Sequence, residues 1–148
     1  MALPAAASDI EAARSVTIRI LVIPVTRSFK DVAPKTHART GEYTKGDTLT
    51  GTSVLRNAVP QFGRPKGARV GTSRFVMTAL SSRRFRFDGV ASLPGGTLRA
   101  RGAMGEVAGN STVAIVGGTG LYAGASGLIE GDVLVSGVQL DVVRLQVP

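Results

Sequence analysis

The sequence predicts an all-β chain, an eight-stranded antiparallel β-barrel preceded by a short N-terminal arm. Three observations point there. Short runs alternate apolar and polar residues, Pro/Gly turn signals separate them, and an aliphatic last segment is suited to pair with the first and close the sheet. Residues 1–14, rich in alanine, read as the arm, and no helical stripe follows them, which leaves 15–148 as one barrel domain.

The elements follow in order. "SVTIRILVIPV" (Ser15 to Val25) is apolar and β-branched and reads as the first strand. Thr26 to Asp47 keeps no periodicity and carries Pro34, Gly41 and Gly46. It reads as a long connection, suited to act as a lid. Thr48–Asn57 alternates, and Ala58–Gly67 is a Pro/Gly turn region. In Ala68–Ser81, Ser73, Phe75, Met77 and Ala79 share one face, with Thr72, Arg74, Val76 and Thr78 on the other. Arg83–Leu93 sets Phe85, Phe87 and Gly89 against Arg84, Arg86 and Asp88, and "PGG" (Pro94 to Gly96) marks a hairpin. Thr97–Gly105, "STVAIVGG", "LIEGDVLVSG" and Val138–Val147 complete the set. Glycines inside strands (Gly51, Gly71, Gly89, Gly102, Gly131) suit the bends of a strongly curved sheet.

Composition narrows the chemistry. A chain of 148 residues with 43% hydrophobic and 19% charged residues is ordinary globular material for one domain. It contains no cysteine and one histidine, His37, so thiolate sites, disulfides and a His-rich metal site within one chain are excluded. The first residues have neither a basic n-region nor a continuous apolar stretch, and no run is long enough to cross a bilayer as a helix, so a cytoplasmic protein without membrane contact is expected. The net charge of +8 is uneven: 17 of the 18 basic residues lie between Arg14 and Arg101. That distribution fits a solvated exterior, with Asp88 pairing to a neighbouring arginine across the sheet, or an anion-binding face. With 5% aromatic residues and no tryptophan, few stacking platforms exist, and a basic nucleic-acid-binding barrel is the weaker alternative.

The glycine-dense "VGGTGLYAGASGLIEG" (Val116 to Gly131) poses a choice between a phosphate cradle and a bent strand. A P-loop needs a lysine, and the stretch has none. A dinucleotide fingerprint needs a following helix, whereas "LIEGDVLVSG" alternates as a strand does. The stretch therefore reads as strand, tight turn, aromatic plug and next strand.

"VAIVGGTGLYAGASGLIEG" resembles the Gly-Gly-Thr-Gly-x-(Tyr/Phe)-x-Gly-Ala-x-Gly signature shared by allene oxide cyclases and dirigent proteins. The upstream order "GDTLTGTSVL", "GARVGTSRFVM", "LPGGTLRARG" is similar too, so the likeness spans about residues 46–131. It implies an allene oxide cyclase-like barrel whose lumen holds a small hydrophobic molecule, in a homo-oligomer (dimer or trimer). The chemistry of those families does not carry over. Leu121 and Ser126 stand where dirigent proteins place an aspartate and an arginine. Phe75 lies near the cysteine position of plant allene oxide cyclases, and the first strand offers no glutamate. Bacterial members of the superfamily include polyketide cyclases that promote intramolecular [4+2] cycloaddition, as in spirotetronate formation, which needs a shaped lumen and no cofactor or covalent intermediate.

The resemblance therefore implies a cofactor-free cyclase of secondary metabolism, or a non-catalytic dirigent-like barrel that only binds. Expected substrate contacts are Phe75, Met77, Phe85, Phe87, Leu98 and Met104. Arg19, Tyr43 or Tyr122 is the candidate hydrogen-bond donor. Each has a plainer role as well. Alternating aromatics fill barrels, Met77 and Met104 fill gaps, Tyr122 plugs the barrel end, Arg19 points outward, and His37 is solvated.

Overall fold

The structure, a computed structural model, describes residues 13–105 and 110–148. Eight antiparallel strands close into one barrel in sequential order, β1 pairing with both β2 and β8. They are β1 (Arg14–Lys30), β2 (Thr48–Asn57), β3 (Arg69–Ala79), β4 (Arg84–Leu93), β5 (Gly96–Gly105), β6 (Asn110–Gly118), β7 (Ser126–Val133) and β8 (Gln139–Val147). The only α-helix among the described residues, α1 (Thr36–Thr40), lies between β1 and β2. It is too short and too apolar-poor to cross a membrane, as TM-length apolar helices are absent from the described residues. Of the expected arm, residues 1–12 lie outside the described chain, and Arg14 already belongs to β1.

Strand β1 is longer than its sequence suggests. Thr26–Lys30, expected to open the long connection, instead pairs with Thr48–Thr52 of β2. The connection is thus confined to residues 31–47. Asp47 anchors it, fully buried, its carboxylate accepting backbone N–H bonds from Val32 and Thr44, each 2.9 Å. Tyr43 lies edge-on to Phe85 at 4.8 Å, and His37 stacks on Tyr43 at 4.5 Å. His37, expected in solvent, is therefore half-buried in an aromatic cluster.

The core occupies one end of the barrel. Ile18, Ile20, Leu55, Leu98, Val143 and Leu145 alternate inward from their strands and pack together there. The glycine-dense segment closes that end as a strand, a tight turn, an aromatic plug and the next strand, and not as a phosphate cradle. After β6 the chain makes a 3-10 turn at Gly120–Tyr122 that lies on the β4–β5 hairpin: Leu121 N–H donates to Gly95 O (2.9 Å) and Thr119 N–H to Thr97 O (2.9 Å). Gly120 has a φ of +61°, and a side chain there would collide with the Gly95 carbonyl, so the turn admits only glycine. Tyr122 is buried as the plug, its hydroxyl donating to Pro94 O at 2.8 Å. Replacing it in Tyr122→Phe leaves that carbonyl without a partner, and the unfolding free energy is expected to fall by about 1–2 kcal/mol. An unchanged urea midpoint would show that the hydroxyl does not tie the two turns together.

Candidate functional site

Above the packed end, the inward faces of the strands surround a cavity of about 210 Å³. Its wall is mostly aliphatic and aromatic because period-two alternation brings Val22, Leu55, Phe75, Met77, Phe87 and Leu98 to the same interior. Phe75 and Phe87 lie nearly parallel, with centroids 5.8 Å apart and planes at 16°. Eight strands enclose room for about one small ligand, and here part of that room is left unfilled.

Three charged residues line the cavity, Arg27, Asp141 and Arg74, of which Arg74 lies on the outward phase of β3 and the other two stand on the inward phase of their strands. The first, Arg27, reaches the lumen through a β-bulge. Along β1, Ile18, Ile20 and Val22 face inward, and Pro24 pairs with Ser53. The next pair is Thr26 with Thr52, so Val25 is the extra residue and the alternation changes phase behind it. Arg27 then stands opposite Gly51 and points inward. A side-chain carbon on Gly51 would come within 2.5 Å of Arg27 Nη1 and 2.7 Å of the Phe75 ring, so the glycine supplies the space that both occupy. The guanidinium carbon lies 4.9 Å from the Phe75 centroid, a cation–π contact. Nη1 donates to Thr26 O (2.8 Å) and Thr52 O (3.2 Å). Among the described residues no carboxylate pairs with Arg27.

The second charged group is Asp141 of β8, in register with the inward Val143 and Leu145. Its Oδ1 accepts a 2.6 Å hydrogen bond from Gln139 Nε2. Ser111 of β6 also lines the cavity, and all three side chains crowd the space beside Gly131. Burial pushes the Asp141 carboxyl up to about 6, against the Gln139 hydrogen bond, which favours the ionised form. Asp141 is the one carboxyl among the residues lining the cavity. Its acid form is therefore held to a higher pH than that of an ordinary aspartate.

A second, more open groove of about 660 Å³ adjoins the lumen and shares Arg27, Arg74, Phe75, Gly89 and Val90 with it. Hydroxyls of Thr26, Thr50 and Thr52 line its outer side. The lumen thus opens past Arg27, at the end opposite the Tyr122 plug.

The residues singled out in the sequence fall in different places. Phe75, Met77, Phe87 and Leu98 line the cavity. Phe85 faces inward but is covered by Tyr43 and is not part of the lining. The side chain of Met104 lies outside the described residues. Among the donor candidates, Arg19 is exposed on the outer wall, Tyr122 is committed to Pro94, and Tyr43 sits in the connection against Phe85. Asp88 is on the outer face as well, held by Arg101 at 2.9 Å and Arg99 at 3.4 Å, which keep its carboxyl below the ordinary value. Sequence reasoning named neither lumen charge. For Asp141 the signal was an acid in phase with buried aliphatics, and for Arg27 it was a proline inside a strand.

No protein-family model and no curated protein matches the sequence. Solved structures do match the fold. A pyocyanin demethylase superposes with a TM-score of 0.68 at 19% identity, covering 88% of this chain and 99% of that one. The chain shares the fold of a [4+2] cyclase and of dirigent proteins, at low identity. A nonspecific heme-binding cyclase that catalyses [4+2] cycloaddition in neoabyssomicin biosynthesis gives 0.69 at 16% identity, over 93% of this chain and 69% of that one. A pterocarpan synthase dirigent protein gives 0.63 at 16% identity, over 93% and 95%.

Proposed function

We propose that this barrel is a cyclase of secondary metabolism that folds a hydrophobic, polyketide-like substrate within its lumen and promotes an intramolecular [4+2] cycloaddition. The observation that carries the reading is the cavity itself: apolar, plugged at one end by Tyr122, open at the other, and provided with a single carboxyl. The similarity in fold to a [4+2] cyclase and to the Diels–Alderase AbmU of Streptomyces koyangensis supports the reaction class.

Such a reaction converts three π bonds into two σ bonds and one π bond, with no atom or electron exchanged with the protein. The protein's part is to hold diene and dienophile within reach and keep water out, which Phe75, Phe87 and Leu98 do as walls. Asp141, when protonated, donates a hydrogen bond to a carbonyl conjugated with the dienophile, which draws electron density from it in the transition state. The connection 31–47, packed on the barrel through Tyr43 and Phe85, is assigned the part of a cover that closes on substrate, and the exposed Val116, Leu128 and Val133 of the outer wall offer surface for self-association.

The test compares metabolites of source cells with and without the gene. The expected result is an uncyclised isomer, equal in mass to the lost product, that purified protein converts to it. If the isomer accumulates nowhere and binding occurs without conversion, the barrel is a dirigent-like binder. The nucleic-acid alternative has no support in the cavity's apolar wall, and retention on DNA that survives raised salt would be needed to restore it.

A further inference from the structure

The mouth of the lumen carries a charge that neither the barrel's stability nor a purely apolar substrate calls for. An arginine placed inward needs space and partners, and here both are arranged. The bulge at Val25 turns Arg27 inward, Gly51 leaves the room, and the Phe75 ring, itself stacked on Phe87, supports the guanidinium from one side. Nη1 is fixed by the carbonyls of Thr26 and Thr52, while Nε and Nη2 find no protein acceptor among the described residues. A guanidinium with Nη1 anchored by two carbonyls and with Nε and Nη2 left as unused donors matches the planar oxygens of a carboxylate.

Resting on the lumen as the substrate site, we propose that Arg27 is an anion-recognition residue, and that the ligand is an amphipathic acid whose planar oxyanion meets this guanidinium while its hydrocarbon part fills the lumen. Arg74 is the other cation that lines both lumen and groove. Both are exposed, but Arg74 follows the outward phase of β3, whereas Arg27 stands on the inward phase of β1 against the Phe75 ring. Arg27 therefore makes the contact and Arg74 adds only long-range attraction.

The experiment measures calorimetric binding of octanoate and of 1-octanol, equal in chain length, to the full chain at pH 7.5. The wild-type protein is expected to bind octanoate about tenfold to a hundredfold more tightly, the range of a charge-assisted hydrogen bond. Arg27→Gln should abolish that preference and leave octanol binding within about twofold of wild type, while Arg74→Gln keeps the preference. Arg27→Met, which retains the apolar stem, gives the same reading if the glutamine variant does not fold. Equal binding of acid and alcohol by wild type, or a preference that survives at position 27, overturns the proposal. A preference lost only in Arg74→Gln overturns it too. In each of those results octanol still occupies the lumen, so the lumen as a binding site stands. Failure of both probes to bind wild-type protein removes the lumen reading and this proposal together.

Discussion

Asp141→Asn is expected to make the barrel more stable at pH 8 and to make the proposed cyclase slower at pH 5–6. Burial raises the Asp141 carboxyl from 3.8 in the unfolded chain to about 6 in the barrel. The folded state therefore holds the proton more tightly than the unfolded one. The stability gained from that proton is complete below about pH 4 and is lost as pH rises through about 6. Above that, a charge is held in an apolar cavity, at a cost of about 3 kcal/mol by the shift of roughly two units. An asparagine keeps the acceptor for Gln139 and carries no charge. Unfolding free energies of wild type and variant from urea titrations should nearly coincide at pH 4 and diverge to about 3 kcal/mol in favour of the variant by pH 8. Curves that stay parallel over this range would show that Asp141 is not titrating in a buried site. Turnover should behave oppositely. The wild-type rate falls as pH rises through 6 and the donor form is lost, while the variant has a flat, lower profile. A carboxyl whose burial costs stability, on the wall of a cavity, is a candidate for a chemical role.

Much of this architecture is written in local sequence. Alternation located β2 at Thr48–Asn57, matching the structure residue for residue, and assigned the inward face of β3 to Phe75 and Met77. These elements were legible because one face meets apolar neighbours and the other meets water, so the period survives in the residues. The glycine-dense turn was legible for a related reason, since backbone crowding at Gly120 leaves no other residue possible. Alternation failed where it changes phase. A reader who carries the inward set Ile18, Ile20, Val22 across Val25 places Arg27 outside, and the structure places it inside. Pro24 marked the irregularity, yet a proline does not say on which side the phase resumes. Phe85 failed differently. Its inward phase was right, but Tyr43, more than forty residues earlier, covers it, and no local pattern encodes that contact.

Filling the lumen supplies the strongest test of where substrate sits. Ala91 is on the inward phase of β4, beside Ser73 of β3 and Leu98 of β5, and it lines the cavity. A phenyl ring in Ala91→Phe has to project into the 210 Å³ of open space, because packed strands stand on either side. Enlarging a residue in a tight core costs about 1–3 kcal/mol, but here the ring enters unoccupied volume lined by apolar atoms. The variant should therefore be as stable as wild type or more so by about 1 kcal/mol, while turnover falls at least a hundredfold, the order lost when reacting groups are displaced by about an ångström. Ser92→Phe puts the same ring one residue further along, on the exposed outer wall, and should retain turnover. Full activity in Ala91→Phe would move the reaction out of the lumen and into the adjoining groove, whose walls this substitution does not touch. Loss of activity together with loss of folding would be settled by the melting curve. A gain in stability coupled to a loss of turnover has one physical cause, which is that the empty space itself is what the protein uses.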